Sequence, residues 1–254
     1  MIDIKNIALV GSGSAASFFG NMFQDAGLKV TCILSRNQVT GAALASKLGT
    51  EFSQDNNDLL KADLILLCIK DDEIVNFVDQ IPKSFNGIVA HCAGSVNIQS
   101  LGNHLHKAVI YPLQSLKGKT DKSTVPFLIE VSANEVTDSI KHVMEKCSVS
   151  YTWVNSEKRA NYHLAAVFVN NFTNAIIGAA EKISINRELE MNLLFPLMNK
   201  TFYQVIEGGS AIQNQTGPAL RNDQVTMASH LKQLEGDPEL QKLYIAVSEY
   251  INSI

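Results

Sequence analysis

Short apolar runs alternate with helical stretches through the first 154 residues. Periodicity and length of the apolar runs predict strands at 4–10, 30–34, 63–69, 87–92, 108–111, 127–131 and 149–154. Between them, apolar residues at three- and four-residue spacing predict helices at 14–26, 42–48, 72–81 and 134–146. The run 63–69 is apolar on both faces, which is typical of a central parallel strand.

From residue 158 onward the spacing is helical and predicts no strand. Helices are predicted at 158–184, 187–206, 222–235 and 238–252, the last opened by Asp237 as N-cap and Pro238 in the first turn. The sequence therefore predicts an α/β fold: a Rossmann-type, doubly wound, mostly parallel sheet over residues 1–155. An all-helical domain is expected to follow over residues 156–254.

A glycine-rich segment follows the first predicted strand and opens the first predicted helix. It fits the pattern GxGxxG/A, in which the first glycine allows a tight turn and the second admits a diphosphate close to the backbone. The free N–H groups at the helix N-terminus favour a bound phosphate. An ordinary glycine turn is the alternative. The expected cofactor contacts of this loop are Gly11, Ser12, Gly13, Ser14, Ala15 and Ala16.

The end of the second predicted strand indicates which dinucleotide binds. Sites for NAD usually place Asp or Glu there to hold the ribose 2′-hydroxyl. This strand ends instead in Ser35 and Arg36, a hydroxyl and a guanidinium that suit a 2′-phosphate. We therefore expect NADP(H) as cofactor, although Arg36 as a solvated loop residue is the alternative.

The later strands supply the next candidate residues, because ligands bind beyond the carboxyl ends of strands in open α/β sheets. His91 is a candidate general acid, since the unperturbed imidazole titrates near neutral pH. Packing of His91 within the sheet is the equally open alternative. Asp71 and Asp72 are interpreted as residues at a helix N-terminus. Further cofactor contacts are expected from Ile69, Lys70, Cys92, Ala93 and Gly94.

A polar stripe runs along the long helix predicted at 158–184. His163, Asn170, Asn171, Asn174 and Gly178 share one face at 3.6 residues per turn. Buried amides need hydrogen-bond partners, so the stripe faces either a structural network or a substrate. The cluster favours a substrate site, in which His163 and Asn171 are the candidate catalytic residues.

A second polar segment follows Gly217-Pro218, a dipeptide that ends the preceding segment of the chain. Arg221 suits an anionic substrate group because its guanidinium fork matches a carboxylate. Asp223 joins it as a candidate catalytic residue. The alternatives are that Arg221 and Asp223 pair with each other, and that Asn222 or Asp223 caps the next helix.

Composition excludes several classes of function. The net charge of −4 gives no basic surface for nucleic acid or anionic lipid. The four cysteines form no CxxC pair or zinc-like spacing, so no metal is expected. Cys32 and Cys68 lie within apolar runs, which is typical of a reducing cytoplasm. Residues 160–180 carry too many polar groups for a membrane span, and the N-terminus is interpreted as a strand rather than a signal peptide.

Several segments together resemble a known family. GSGSAA, the SR after the second strand, HCAGSV, YPLQSL, YHLAAVFVNNF and TGPALRND resemble Rossmann-like proteins that carry a C-terminal helical domain of uncharacterised function. That family is catalogued among NADP oxidoreductases, close to deazaflavin-dependent NADP reductases. It is more distantly similar to pyrroline-5-carboxylate reductases, ketopantoate reductases and 6-phosphogluconate dehydrogenases. The resemblance implies a helical substrate lid and a homodimer formed through the helical domain.

The chain departs from the family pattern at one chemically important place. Hydroxyacid dehydrogenases of this type carry a lysine followed four residues later by asparagine on the long helix, where this chain has His163 and Val167. The first functional hypothesis is NADP(H)-dependent hydride transfer to a small carbonyl or imine compound, with His91 or His163 as proton donor. A non-catalytic NADP-binding sensor or partner-binding protein is the alternative. Deazaflavin reduction is a third.

Overall fold

The computed structural model describes residues 2–254, and these divide into two compact units. One unit extends to Asn171, and the other runs from Phe172 to Ile254. The first unit contains a complete sheet together with the first part of the long helical region. The domain boundary expected between residues 155 and 156 stays a prediction.

The first unit is built on one eight-stranded sheet with the order β3-β2-β1-β4-β5-β6-β7-β8. Neighbouring strands are parallel except β6 and β7, which confirms the mostly parallel, Rossmann-type sheet. The strands are β1 (Asn6–Val10), β2 (Lys29–Leu34), β3 (Glu51–Ser53), β4 (Leu64–Leu67), β5 (Ile88–His91), β6 (His106–Pro112), β7 (Phe127–Val131) and β8 (Tyr151–Trp153).

Helices cover the sheet and form the second unit. The first unit contains α1 (Ser14–Asp25), α2 (Gln38–Leu48), α3 (Ile74–Val78), α4 (Asn134–Lys146) and α5 (Ser156–Ala166). A π-helical segment, Val167–Phe172, then separates α5 from α6 (Thr173–Asn186), where the sequence predicts one continuous helix. The second unit continues with α7 (Phe195–Ile206), α8 (Gln224–Gln233) and α9 (Pro238–Ser253). Over residues 2–254, every helix is too short or too polar to span a lipid bilayer.

The sheet has an apolar core on each face. All four residues of β4 are completely buried, as expected for a central strand covered on both sides. Leu64 and Leu66 pack on one face with aromatic residues of α1, including Phe19 and Phe23. Ile65 and Leu67 pack on the other face. Burial of each such side chain favours folding by about 1.5–3 kcal/mol, so the central strands are held firmly.

The strand order reverses beside β1, and this positions the site. The chain leaves β1 toward β2 and β3 on one side, then crosses to β4 on the other side. The connections diverge at the carboxyl ends of β1 and β4, which opens a crevice between them. The glycine loop that follows Val10 lies at this point.

Candidate functional site

Gly11 makes the turn out of β1, and the structure requires a glycine there. Its φ of +110° lies in a region that other residues rarely adopt. Its N–H donates to the Leu34 carbonyl at 2.8 Å. A Cβ on Gly11 would lie 2.3 Å from the Cys68 carbonyl oxygen. The first glycine of the motif therefore brings the ends of β1, β2 and β4 close together.

Gly13 caps α1 under very different constraints. Its φ of −85° suits any residue, and an added Cβ would meet no atom within 4 Å. Among residues 2–254, no side chain caps α1 and no acidic residue occupies its first turn. Ala16, by contrast, is completely buried against the sheet. Gly13 therefore leaves open space in front of the helix N-terminus, while Ala16 lets the helix approach the sheet.

A cleft of about 780 Å³ opens beyond these strand ends. Most of the predicted cofactor contacts line it, whereas Ala16, Cys92, Ala93 and Gly94 are not among its lining residues. The predicted residues that line it are Gly11, Ser12, Gly13, Ser14, Ala15, Ser35, Arg36, Ile69 and Lys70. Residues that the motif does not identify include Gln54, Glu73, Asn76, Phe77 and Gln80.

Three hydroxyl groups meet at the β2 end of the cleft. Ser12 Oγ lies 3.0 Å from Ser35 Oγ and 2.6 Å from Thr40 Oγ1. Asn37 caps α2 by accepting from the Thr40 N–H at 3.1 Å. The sequence predicts Ser12 and Ser35 as contacts but not Thr40, which the Asn37 N-cap places one helical turn later. The cluster provides hydroxyl donors beside an uncovered helix N-terminus.

Arg36 forms an ion pair across this end of the cleft. Its Nη2 lies 2.5 Å from Glu73 Oε1, and its side chain is otherwise 85% exposed. Glu73 follows β4 in a short 3₁₀ turn, Asp71–Glu73. Exposed ion pairs contribute little to stability, so Arg36 can exchange this partner for another anion. Because Arg36 and Glu73 are 37 residues apart in the sequence, local sequence patterns do not reveal this pair.

His91 packs inside the sheet, as one of the two sequence interpretations expects. The residue is completely buried, and its Nδ1 accepts from the Ala93 N–H at 3.2 Å. Burial, followed by the nearby charge of Arg159, lowers the pKa of His91 to about 3. The imidazole is therefore neutral near pH 7 and shielded from solvent, which weakens its candidacy as a general acid.

A second histidine contacts a tyrosine at the carboxyl end of β6. His163, on α5, places Nδ1 3.0 Å from the Tyr111 hydroxyl. The two rings meet edge to face beside Gly94, where an added Cβ would lie 2.5 Å from His163 Nδ1. Burial and then the charge of Asp71 raise the pKa of Tyr111 above its usual value, which keeps its proton in place near neutral pH.

Buried Arg159 ties α5 to the loop after β5. Its side chain is completely buried and pairs with Glu130 of β7. It also donates to the Gly94 carbonyl at 3.3 Å and to the Val96 carbonyl. Arg159 precedes His163 by one turn of α5, so these bonds fix the helix that carries the imidazole. The sequence identifies neither the role of Arg159 nor the pairing of Tyr111 with His163, since the partners lie far apart along the chain.

The remaining predicted catalytic residues fall in separate places along the chain. Asn171 is exposed at the end of the first unit, and Arg221 is exposed in the second. Asp223 caps α8, accepting from the Thr226 N–H at 3.0 Å and from its hydroxyl at 2.7 Å. These bonds lower the pKa of Asp223. The capping alternative for Asp223 therefore describes its contacts in the structure.

Family models match both parts of the chain. One described as "Domain of unknown function (DUF2520)" covers residues 125–251, which is half of the 254 residues. The protein belongs to the DUF2520 family. A second model, described as "NADP oxidoreductase coenzyme F420-dependent", matches residues 6–90 and so includes the glycine loop and the cleft. These matches confirm the resemblance that the sequence motifs indicate. No curated protein is similar enough to this DUF2520 member to match it.

Solved structures share the architecture of this DUF2520 protein. A candidate NADP oxidoreductase from Bacteroides fragilis has 28% identity and a TM-score of 0.91, covering 100% of both chains. A pyrroline-5-carboxylate reductase from Coxiella burnetii has 16% identity and a TM-score of 0.56, covering 98% of this chain and 99% of the other. A reductive aminase from Aspergillus terreus, in complex with NADPH, has 12% identity and a TM-score of 0.70, covering 97% and 93%. The last two show the fold alone.

Proposed function

We propose that this protein is an NADP(H)-dependent oxidoreductase that reduces a small carbonyl or imine compound. The observation that carries the proposal is the cleft at the switch point of the sheet. Its glycine loop leaves Gly13 facing open space at the N-terminus of α1. The neighbouring strand, β2, is followed by the hydroxyl of Ser35 and the guanidinium of Arg36 instead of a carboxylate. The F420-dependent NADP oxidoreductase match over residues 6–90 supports the same assignment.

The chemistry of the cleft residues indicates which part of the cofactor each would bind. Backbone N–H groups from Gly13 onward suit a diphosphate, because the helix dipole and unpaired donors face it. Ser12, Ser35, Thr40 and Arg36 suit the 2′-phosphate that distinguishes NADP from NAD. Bound NADPH would supply the hydride for the reduction.

Tyr111 is the proposed proton donor, supported by His163. Its hydroxyl lies at the carboxyl end of β6, where ligands bind in this fold. As hydride reaches the carbon of a C=O or C=N group, Tyr111 gives its proton to the oxygen or nitrogen. With its proton on Nδ1, 3.0 Å away, His163 then returns that proton to the tyrosine oxygen and is reprotonated by water. Asn171 and Arg221 remain the proposed substrate-orienting residues, with Arg221 suited to an anionic group.

The test combines a binding and a turnover measurement. Calorimetric titration of the full chain with NADPH and NADH is expected to show tighter binding of NADPH. Loss of reduced-nicotinamide absorbance is then followed with a panel of keto acids, aldehydes and cyclic imines. With an accepted substrate, Tyr111→Phe is expected to lower kcat about 10²–10⁴-fold with the Kd for NADPH unchanged. Failure to bind either dinucleotide would overturn the proposal.

A non-catalytic NADP-binding role is the second candidate. The observation that favours it is the absence of the lysine–asparagine pair, since His163 and Val167 hold those positions. This role predicts tight NADPH binding without oxidation by any member of the panel, and an unaltered affinity in His163→Ala. The turnover measurement therefore separates the two candidates.

We also propose that the chain assembles as a homodimer through the helical unit. None of the twelve residues of α7 is buried, although Phe195, Leu197 and Ile206 are large and apolar. An apolar helix without buried residues is typical of an interaction surface. A second copy of the chain is the proposed occupant, and light scattering on the purified protein measures the expected doubled mass.

A further inference from the structure

The ion pair between Arg36 and Glu73 lies in the cleft proposed to hold the cofactor. Both side chains line the cleft, and their N–O distance is 2.5 Å. Arg36 comes from the segment after β2, whereas Glu73 comes from the turn after β4. The pair thus joins the two strands that flank β1 at the switch point.

The carboxylate of Glu73 is paired with the Arg36 guanidinium, which is the group that a 2′-phosphate would bind. The side chain of Arg36 is 85% exposed, and its ion pair with Glu73 orients its guanidinium fork. A carboxylate and a phosphate compete for the same N–H donors. The carboxylate of Glu73 also repels a dianionic phosphate placed beside Arg36.

We propose that Glu73 is a specificity-determining residue that lowers the preference of this site for NADPH over NADH. This inference rests on the proposed function. NADPH must displace Glu73 from Arg36, whereas NADH has no 2′-phosphate and leaves the pair intact. Glu73 therefore weakens NADPH binding selectively, and the wild-type protein discriminates less between the two dinucleotides than Arg36 alone would allow.

The experiment compares dissociation constants for NADPH and NADH in three proteins by calorimetric titration. Glu73→Gln keeps the shape of the side chain and removes its charge. It is expected to tighten NADPH binding about three- to tenfold and to leave the Kd for NADH within about twofold. Asp72→Asn is the matched control, because this exposed neighbour carries the same charge but does not line the cleft. It is expected to leave the NADPH-to-NADH ratio unchanged.

A further pair of variants tests whether Glu73 acts through Arg36. In an Arg36→Ala background, Glu73→Gln is expected to tighten NADPH binding by clearly less than in the wild-type background. Equal tightening of both dinucleotides by Glu73→Gln, or an equal effect of Asp72→Asn, would overturn the inference while leaving the proposed function intact. If the wild type and all variants bind neither dinucleotide, the proposed function fails and this inference fails with it.

Discussion

Gly94 shows how closely the proposed proton-transfer pair is packed. A Cβ at this position would lie 2.5 Å from His163 Nδ1 and 2.9 Å from Tyr111 Cζ. Gly94→Ala is therefore expected to lower the free energy of unfolding by about 1–3 kcal/mol, because the rings must move apart. Urea denaturation measures this change.

A second glycine provides the control for this substitution. Gly178 lies within α6, and an added Cβ would meet no atom within 4 Å. Gly178→Ala is therefore expected to raise the unfolding free energy by about 0.5–1 kcal/mol, since alanine favours the helix. Equal effects of the two substitutions would show that the space around Gly94 is not restricted.

The buried imidazole of His91 predicts a pH-dependent stability. Its pKa falls from 6.5 to about 3 in the folded protein, so the unfolded chain binds the proton more readily. Above pH 6.5 both states are neutral, and His91 makes no pH-dependent contribution. As the pH falls from about 6 to 4, the unfolding free energy is expected to drop by about 1.4 kcal/mol per unit through this residue.

The variant His91→Asn tests that contribution directly. Asparagine offers the Ala93 N–H an acceptor in place of Nδ1 but does not titrate. Urea unfolding of both proteins at several pH values between 7.5 and about 4 is expected to show a shallower decline for the variant. Parallel declines would mean that other groups carry the acid sensitivity.

Single residues differ in how well the sequence predicts their roles. Gly11 and Ser12 follow from the glycine motif and Ser35 from the end of the second strand, and all three line the cleft. Tyr111 is separated by 52 residues from His163. Local periodicity contains no information about such partners, because they meet only once the sheet and α5 have packed. For the same reason, the sequence does not predict the contact between Glu73 and Arg36.

At the scale of elements, the two motif glycines have opposite structural roles. Gly11 needs its positive φ and its closeness to Cys68, whereas Gly13 needs neither. Gly11→Ala is expected to cost stability, by about 1–3 kcal/mol or more, since both strain and a backbone clash result. Gly13→Ala is expected to fold as stably as the wild type but to lose at least about tenfold in NADPH affinity, because its methyl group enters the space of the diphosphate.

Thermal unfolding and calorimetric titration of the same samples separate these effects. A stable Gly13→Ala protein that binds NADPH like the wild type would show that the diphosphate does not approach this backbone. A Gly11→Ala protein as stable as the wild type would contradict the steric argument for the turn.

Helices and strands with a long run of apolar periodicity are predicted from the sequence, whereas short ones are missed. Seven of the eight strands and the helices that connect them follow from alternating apolar runs and glycine stops. The sequence does not reveal β3, since Glu51–Ser53 has only three residues and one apolar side chain. The helix predicted at 158–184 is interrupted by the π-helical segment Val167–Phe172, and the residue spacing does not reveal this interruption.

At the scale of the whole molecule, the proposed assembly explains an excess of exposed apolar residues. The large apolar side chains that the second unit leaves exposed include Leu193, Leu197, Tyr203, Val205 and Ile206. Monomeric proteins rarely expose apolar surface in such contiguous groups. Burial in a homodimer would remove this surface from water, and composition alone does not reveal it, because the overall apolar fraction of 46% is ordinary.

Two substitutions of equal exposure test that assembly. Ile206, at the end of α7, and Leu105, before β6, are each 77% exposed. In light scattering, the wild type is expected to have a molecular mass twice that of one chain, whose mass is 27.8 kDa. Ile206→Glu is expected to shift the mass to one chain at low protein concentration, because it places a charge within the apolar interface. Leu105→Glu adds the same charge to the first unit and is expected to remain dimeric. A wild type with the mass of one chain would refute the homodimer, and equal dissociation by both substitutions would remove the helical unit as its interface.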